Sequence, residues 1–218
     1  MGSEERLRFF SLGFYGHDGV SYDGMNAADV IKRLDLQPLP EEGGFFNRIL
    51  ESKEAAVIPE EDSARYGGGG RLTYSLINYL MTSDQFSALH ALKSDESWTF
   101  IAGSPLELRI INPHTGEESR VRLDAENRNH VVPRDSIFGA YPLEKSSDFS
   151  LITCEVRPGF EFSDFVLVSA RDVLSKFPAL LETVRLLTRR EEVHLSSTSV
   201  VISCGEKKEA KTEGLAPS

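Results

Sequence analysis

His90 and Glu96 stand six residues apart in segments that read as two strands joined by a tight turn. Alternate residues of a strand share a face, so Phe86, Ala88, His90 and Leu92 are expected to point one way, and Glu96, Trp98 and Phe100 to share a face across the turn. If those faces agree, an imidazole and a carboxylate look into one cavity. Imidazole has an unperturbed pKa near neutrality, so His90 is a candidate general base or ligand contact; the alternative is a histidine held neutral by hydrogen bonds in a polar interior. Glu96 would orient His90 or bind a ligand hydroxyl, since a carboxylate beside an imidazole favours its charged form. Its structural alternative is a carboxylate bonded to backbone or arginine, and Glu42 carries the same two readings. Trp98, the only tryptophan, reads most simply as core, with stacking on a sugar or purine as the sharper alternative. Tyr79 and Tyr141 are conceivable proton donors to a ligand oxygen.

Other chemistries find less support. His17, His114, His130 and His194 lack metal-ligand spacing, and no Gly-x-Ser-x-Gly occurs, which sets hydrolase classes aside. The Gly67–Gly70 run lacks a following Gly-Lys-Ser/Thr, so a phosphate cradle is not expected. Cys154 and Cys204 are too few for a disulfide framework and are expected to be reduced thiols. Lys and Arg total 24 against 34 Asp and Glu, a net charge of −10 with no basic cluster, which argues against nucleic acid and anionic lipid as partners. No run approaches the roughly 20 apolar residues that span a bilayer. Met1 to Arg8 is charged rather than an apolar signal segment, so a cytoplasmic location is expected.

The elements that would hold these residues follow from periodicity. Residues 1–25 read as an irregular N-terminal arm. Asn26 is a helix cap, with Ala27, Val30, Ile31 and Leu34 on one buried face and Pro38 and Pro40 ending the helix. Gly43-Gly44 lead into a strand starting at Phe45-Phe46, and the acidic, glycine-rich stretch 51–70 is expected to be a mobile loop. From Arg71 to Val168, strands are expected near 71–81, 86–92, 97–102, 106–112, 118–123, 130–133, 137–141, 150–156 and 164–169, punctuated by turn residues. Such spacing without intervening helices means an all-β sandwich or barrel, spanning 26–189 as one domain. Val173, Leu174 and Phe177, then Leu180, Leu181, Val184 and Leu187 after Pro178, read as two helices covering the barrel. Residues 190–218 read as a largely disordered tail, with Val200-Val201-Ile202 as one stray strand.

An ordered set of motifs adds to this reading: Glu42-Gly43-Gly44-Phe45-Phe46, Ser75 to Met81, His90, Asp95-Glu96-Ser97-Trp98-Thr99-Phe100, Gly103-Ser104-Pro105-Leu106, Val132-Pro133, Pro158-Gly159-Phe160-Glu161-Phe162-Ser163-Asp164-Phe165 and Leu187-Thr188. Together they resemble a largely uncharacterised family of small single-domain cupins. The resemblance implies a double-stranded β-helix (a cupin or jelly-roll barrel), usually a homodimer, with a ligand site inside. It also implies four metal-ligand positions, which fall here on His90, Leu92, Glu96 and Phe138. Two are hydrocarbon, so no metal cofactor is expected, and His90 with Glu96 forms only a weak alternative metal site. Ala91, Thr99, Ile137 and Pro40 replace the Arg, His, Trp and His usual in that family. More distantly, the chain is similar to cupins that epimerise keto-sugars on nucleotide carriers with a base and no metal.

The resulting expectation is a small polar ligand bound among Glu42, Tyr79, His90, Glu96, Trp98 and Phe138, with metal-independent isomerase or epimerase activity on a sugar or nucleotide-sugar and His90 as base. A non-catalytic binding or structural cupin is the alternative, and a metal-dependent oxygenase or isomerase the third.

Overall fold

Asn26 caps the first helix, α1 (Ala27–Arg33), in a computed structural model that describes residues 21–189 apart from 23 and 145–147. Its side-chain oxygen accepts from the Asp29 N–H at 2.9 Å, satisfying one of the donors left free at a helix start. Ala27, Val30 and Leu34 pack against Leu80, Phe149 and Leu151. The helix stops before the expected prolines. Asp35 takes a left-handed conformation (φ 51), Leu36 N–H donates to Ile31 O at 2.9 Å and Asp35 N–H to Lys32 O at 3.4 Å. That pair of bonds closes the helix end without glycine. Residues 1–20 of the arm expected at 1–25, and the tail expected at 190–218, with His17, His194, Cys204 and Val200–Ile202, lie outside the described residues.

Eleven strands follow among the described residues: β1 (Gln37–Pro38), β2 (Phe45–Glu51), β3 (Ser75–Thr82), β4 (Ser87–Leu92), β5 (Asp95–Gly103), β6 (Leu106–Ile111), β7 (Glu118–Leu123), β8 (Asn129–Val132), β9 (Ile137–Pro142), β10 (Phe149–Arg157) and β11 (Phe165–Leu167). They form two antiparallel sheets, ordered β1-β2-β3-β10-β5-β8 and β11-β4-β9-β6-β7. From β3 onward the chain passes repeatedly between the sheets, the winding of a jelly roll. Pro38 sits in an edge strand, where its missing N–H costs no ladder bond.

Two departures from the expected pattern matter for the site. First, β2 is a full strand paired with β3, and the stretch after it holds a one-turn helix, α2 (Glu60–Ser63), and a 3-10 helix (Ala64–Tyr66). Arg65 bonds Asp135 at 2.7 and 2.5 Å, Arg134 bonds Asp62 at 2.8 Å, and the Tyr66 hydroxyl donates to Lys93 O at 3.2 Å. Second, Phe86 does not share the face of His90; it packs with the outer cluster of Leu89 and Ile111.

The space between the sheets is filled at its centre by Trp98, Phe100, Leu108, Phe138 and Ile152. On the outer face of the second sheet, α3 (Ala170–Lys176) and α4 (Leu181–Leu187) lay Val173, Val184 and Leu187 over Leu89 and Ile111. Each such buried aliphatic side chain contributes about 1.5–3 kcal/mol. Arg109, buried on β6, fastens α4 through Glu182 at 3.1 Å and Thr183 at 2.7 Å. No helix among the described residues is long and apolar enough to cross a membrane.

Candidate functional site

Strand β4 carries His90, and an irregularity in that strand decides where its ring goes. Opposite β9, Ser87 pairs with Ala140 but His90 with Phe138, so two residues of β4, Ala88 and Leu89, stand opposite the single Gly139 of β9. This is a β-bulge, and it lets Ser87 and His90, an odd number apart, both face the interior. At the slip, Ala88 N–H donates to Glu42 O at 2.9 Å and Ala88 O lies 2.7 Å from His90 Nδ1. A carbonyl oxygen only accepts, so Nδ1 carries the proton and Nε2 offers its lone pair when the ring is neutral. Phe165 stacks on the ring (centroids 5.2 Å, 27°) and Phe138 tilts against it at 4.1 Å. The ring is thereby held between aromatics.

Glu96 reaches the same space from the other sheet. Along β5, Glu96, Trp98 and Phe100 are all buried, as the alternation requires. Trp98 Nε1–H donates to Glu96 Oε2 at 2.8 Å, and the Cys154 thiol neighbours the same carboxylate and helps hold its charged form. Burial pushes the Glu96 carboxyl up to about 7, against the pull of nearby His90 and with the push of Glu42. Burial also pushes the Cys154 thiol well up, so this cysteine is an inert thiol rather than a nucleophile.

Glu42 arrives on the turn between β1 and β2. Ser87 Oγ donates to its Oε1 at 2.6 Å. The turn presses against two strands, which explains the paired glycines after it. Gly43 and Gly44 have φ of 109 and 72, and a Cβ on Gly44 would lie 2.7 Å from Leu80 O; neither the dihedral nor the space admits a side chain. Tyr79 hydroxyl donates to Gly43 O at 2.9 Å, and burial holds that phenol protonated.

These elements enclose a cavity of about 350 Å³ between the sheets. Glu42, His90 and Glu96 line it together. Tyr79, Trp98 and Phe138, read from the sequence as ligand contacts, do not line it: Trp98 and Phe138 stand behind Glu96 and His90, and the Tyr79 hydroxyl is committed to Gly43. Sequence reasoning missed Arg48 on β2, Cys154 on β10, and the aromatics Phe160, Phe162 and Phe165, which form part of the wall. The alternation of β2 opposite β3 could have signalled Arg48. The aromatics were visible only as a motif.

The loop bearing those aromatics is anchored at Asp164. Arg71 grips its carboxylate with Nε at 2.7 Å and Nη2 at 2.8 Å, and Lys93 Nζ lies 3.3 Å away. The motif ending in Asp164-Phe165 therefore builds the cavity wall.

A metal of the kind the fold commonly holds does not fit these residues. Leu92 and Phe138 occupy two of the four expected ligand positions, His90 Nδ1 is committed to Ala88, and Glu96 Oε2 to Trp98. Among the described residues no three His, Cys, Asp or Glu side chains converge as a metal-binding group.

Comparison with known proteins agrees with the fold. The family described as "Cupin superfamily (DUF985)" matches residues 28–168. Among solved structures, protein SO0799 from Shewanella oneidensis is 34% identical, the match covering 76% of this chain and 98% of that one with a TM-score of 0.65. A hypothetical protein from Leishmania major is 29% identical over 74% of this chain and 98% of its own, with a TM-score of 0.66. No curated protein matches the chain.

Proposed function

For a chain that belongs to the cupin superfamily, in its DUF985 family, and that lacks the superfamily's metal-ligand set, we propose metal-independent proton transfer on a small carbonyl compound held in the barrel. The observation that carries this reading is the bond from His90 Nδ1 to Ala88 O, which leaves Nε2 as the basic atom at the cavity wall. Glu96 complements it. A carboxyl with a pKa of about 7 is present in both protonation states near neutrality, the condition for an efficient general acid.

In the forward step, His90 Nε2 takes a proton from the carbon beside the carbonyl. The C–H electron pair becomes the new C=C bond, and the carbonyl oxygen takes the Glu96 proton. Return of a proton to the opposite face of that carbon gives the epimer, and return to the same face restores the starting compound with a solvent proton in place. Where that carbon bears a hydroxyl, loss of the hydroxyl proton with return of a proton to the former carbonyl carbon gives the isomer. Most of the wall is apolar, including Phe46, Ile77, Phe160 and Phe165. It suits a ketone with a hydrocarbon or deoxygenated body better than a fully hydroxylated sugar.

Proton NMR in D2O of candidate ketones and keto-sugar nucleotides tests the reading. The wild-type protein should wash deuterium into the carbon beside the carbonyl, and His90→Gln should slow this by about 10²–10⁴-fold. Absence of enzyme-dependent exchange across the panel would remove the catalytic claim. The second reading, a non-catalytic binding cupin, is favoured by Glu96 Oε2 already accepting from Trp98. It predicts no exchange but thermal stabilisation, since a ligand at 100 times its Kd adds about 2.7 kcal/mol.

A further inference from the structure

The polar groups of the cavity are unevenly distributed. Its inner wall carries Glu42 and Glu96, both acidic, with Ser87 already donating to Glu42. Any ligand anion placed there would face like charge or an already satisfied carboxyl. Arg48 is the only Lys or Arg lining the cavity among the described residues. Strand geometry explains its position: Phe46 opposes Tyr79 and Arg48 opposes Ile77, with no slip between them, so Phe46, Arg48 and Ile77 share the inward face of the first sheet. The Arg48 side chain is 41% exposed, so it marks the mouth rather than the floor.

Its existing partner is easily exchanged. Arg48 Nη1 bonds Glu51 Oε1 at 2.6 Å, three residues along the same strand segment, and the Glu51 side chain is equally exposed. Solvated pairs of this kind contribute only about 0–1 kcal/mol. A ligand carboxylate flanked by the aromatic wall would meet a less hydrated guanidinium and accept two parallel N–H bonds from its planar fork. Phe46 and Ile77 share the inward face with Arg48, and Phe160 and Phe162 add to the apolar lining. Phe162 is 71% exposed yet still contributes to the wall.

Resting on the reading of this cavity as a ligand site, we infer that its ligand is an elongated acid: an anionic group held by Arg48 at the mouth, an apolar middle, and a carbonyl or hydroxyl end at His90 and Glu96. Arg48 sets specificity for the acidic end. It also imposes direction, because reversing the ligand would bring its anion to Glu42 and Glu96.

Matched probes test this. Calorimetry at low salt compares 5-oxohexanoate, a carboxylate and a ketone separated by methylenes, with its uncharged methyl ester. The wild-type protein should bind the acid about tenfold more tightly than the ester, with the advantage shrinking as salt rises. Arg48→Met should abolish that advantage by weakening the acid far more than the ester, and Arg48→Lys should restore part of it. Equal affinity for acid and ester in the wild type would overturn the assignment of Arg48 but leave the ligand site standing, as would equal loss of both probes in Arg48→Met. Binding of neither probe would overturn both this inference and the small-ketone reading on which it rests.

Discussion

Asp164 and Glu96 are buried almost equally, at 3% and 6% exposure, yet their acidities move in opposite directions. Burial pushes both carboxyls up. At Asp164 that push is more than offset by Arg71, which donates two hydrogen bonds, and by Lys93, so its pKa lies below the ordinary aspartate value. Glu96 has no full cation against it. An indole N–H, a thiol and a nearby imidazole only moderate the desolvation, and its carboxyl rises to about 7. One carboxylate is closed by its partners and serves the wall; the other is left able to gain and lose a proton beside empty space. The partner rather than the depth decides which buried acid is available for chemistry.

The largest effect should come from opening the closed pair. Asp164→Asn keeps the shape but leaves Arg71 as an uncompensated buried charge, a change that costs about 3–5 kcal/mol. Urea denaturation at pH 7 reads this directly. A loss below about 1 kcal/mol would mean that solvent already screens Arg71 and that the comparison with Glu96 is false. The wild-type contribution is present at neutral pH and is lost as pH falls through the depressed Asp164 pKa, so the variant should also show a flatter acid limb.

Glu96→Gln should act in the opposite sense. Between the ordinary value of 4.5 and about 7, the folded protein keeps a proton that the unfolded chain has released. Stability from this group therefore falls as pH rises through that window and levels off above it. The span corresponds to roughly 3 kcal/mol. The glutamine variant, which carries no charge to desolvate, should match wild type near pH 4 and exceed it by up to that amount at pH 8. Its deuterium exchange activity should be lost. A difference between the two proteins that does not change from pH 4 to pH 8 would show that Glu96 ionises normally and is no proton donor.

How far this contrast could be read from residues alone depends on the kind of geometry involved. The strands from Ser87 to Arg157 follow from two-residue alternation and turn residues, and the convergence of His90 and Glu96 follows with them. The route by which His90 gets there does not. A one-residue bulge leaves no compositional mark, so alternation alone puts Phe86 on the face of His90 and gives Ser87 no place inside. The prolines imply a later end for helix α1 than Arg33, because Asp35 adopts the left-handed turn that glycine usually signals. Arg48 escaped notice because only the start of β2 was legible, its later residues merging with a polar stretch. The Glu42-Gly43-Gly44 motif was legible as letters, but its reason, two strands pressing on one turn, exists only after the chain has folded.

A third carboxyl sharpens the contrast. Glu42 is half-buried, between the closed environment of Asp164 and the open one of Glu96, and its inner contact is a neutral hydroxyl, Ser87 Oγ at 2.6 Å. Ser87 itself is fully buried. Ser87→Ala removes one donor from a carboxylate that water can still partly reach at the cavity, so the expected cost is only about 1 kcal/mol in urea denaturation. The Glu42 backbone should stay docked, because its carbonyl still accepts from Ala88 N–H and Gly43 O still accepts from Tyr79. The small cost should therefore appear without loss of His90 positioning, and the rate of deuterium exchange should change less than threefold, under about 0.7 kcal/mol on the barrier. A loss as large as that of Asp164→Asn would mean that Glu42 is sealed from solvent. The cavity would then contain a second acid whose state depends on its protein partner, and the distinction between closed and open carboxyls would have to be drawn by access to water instead.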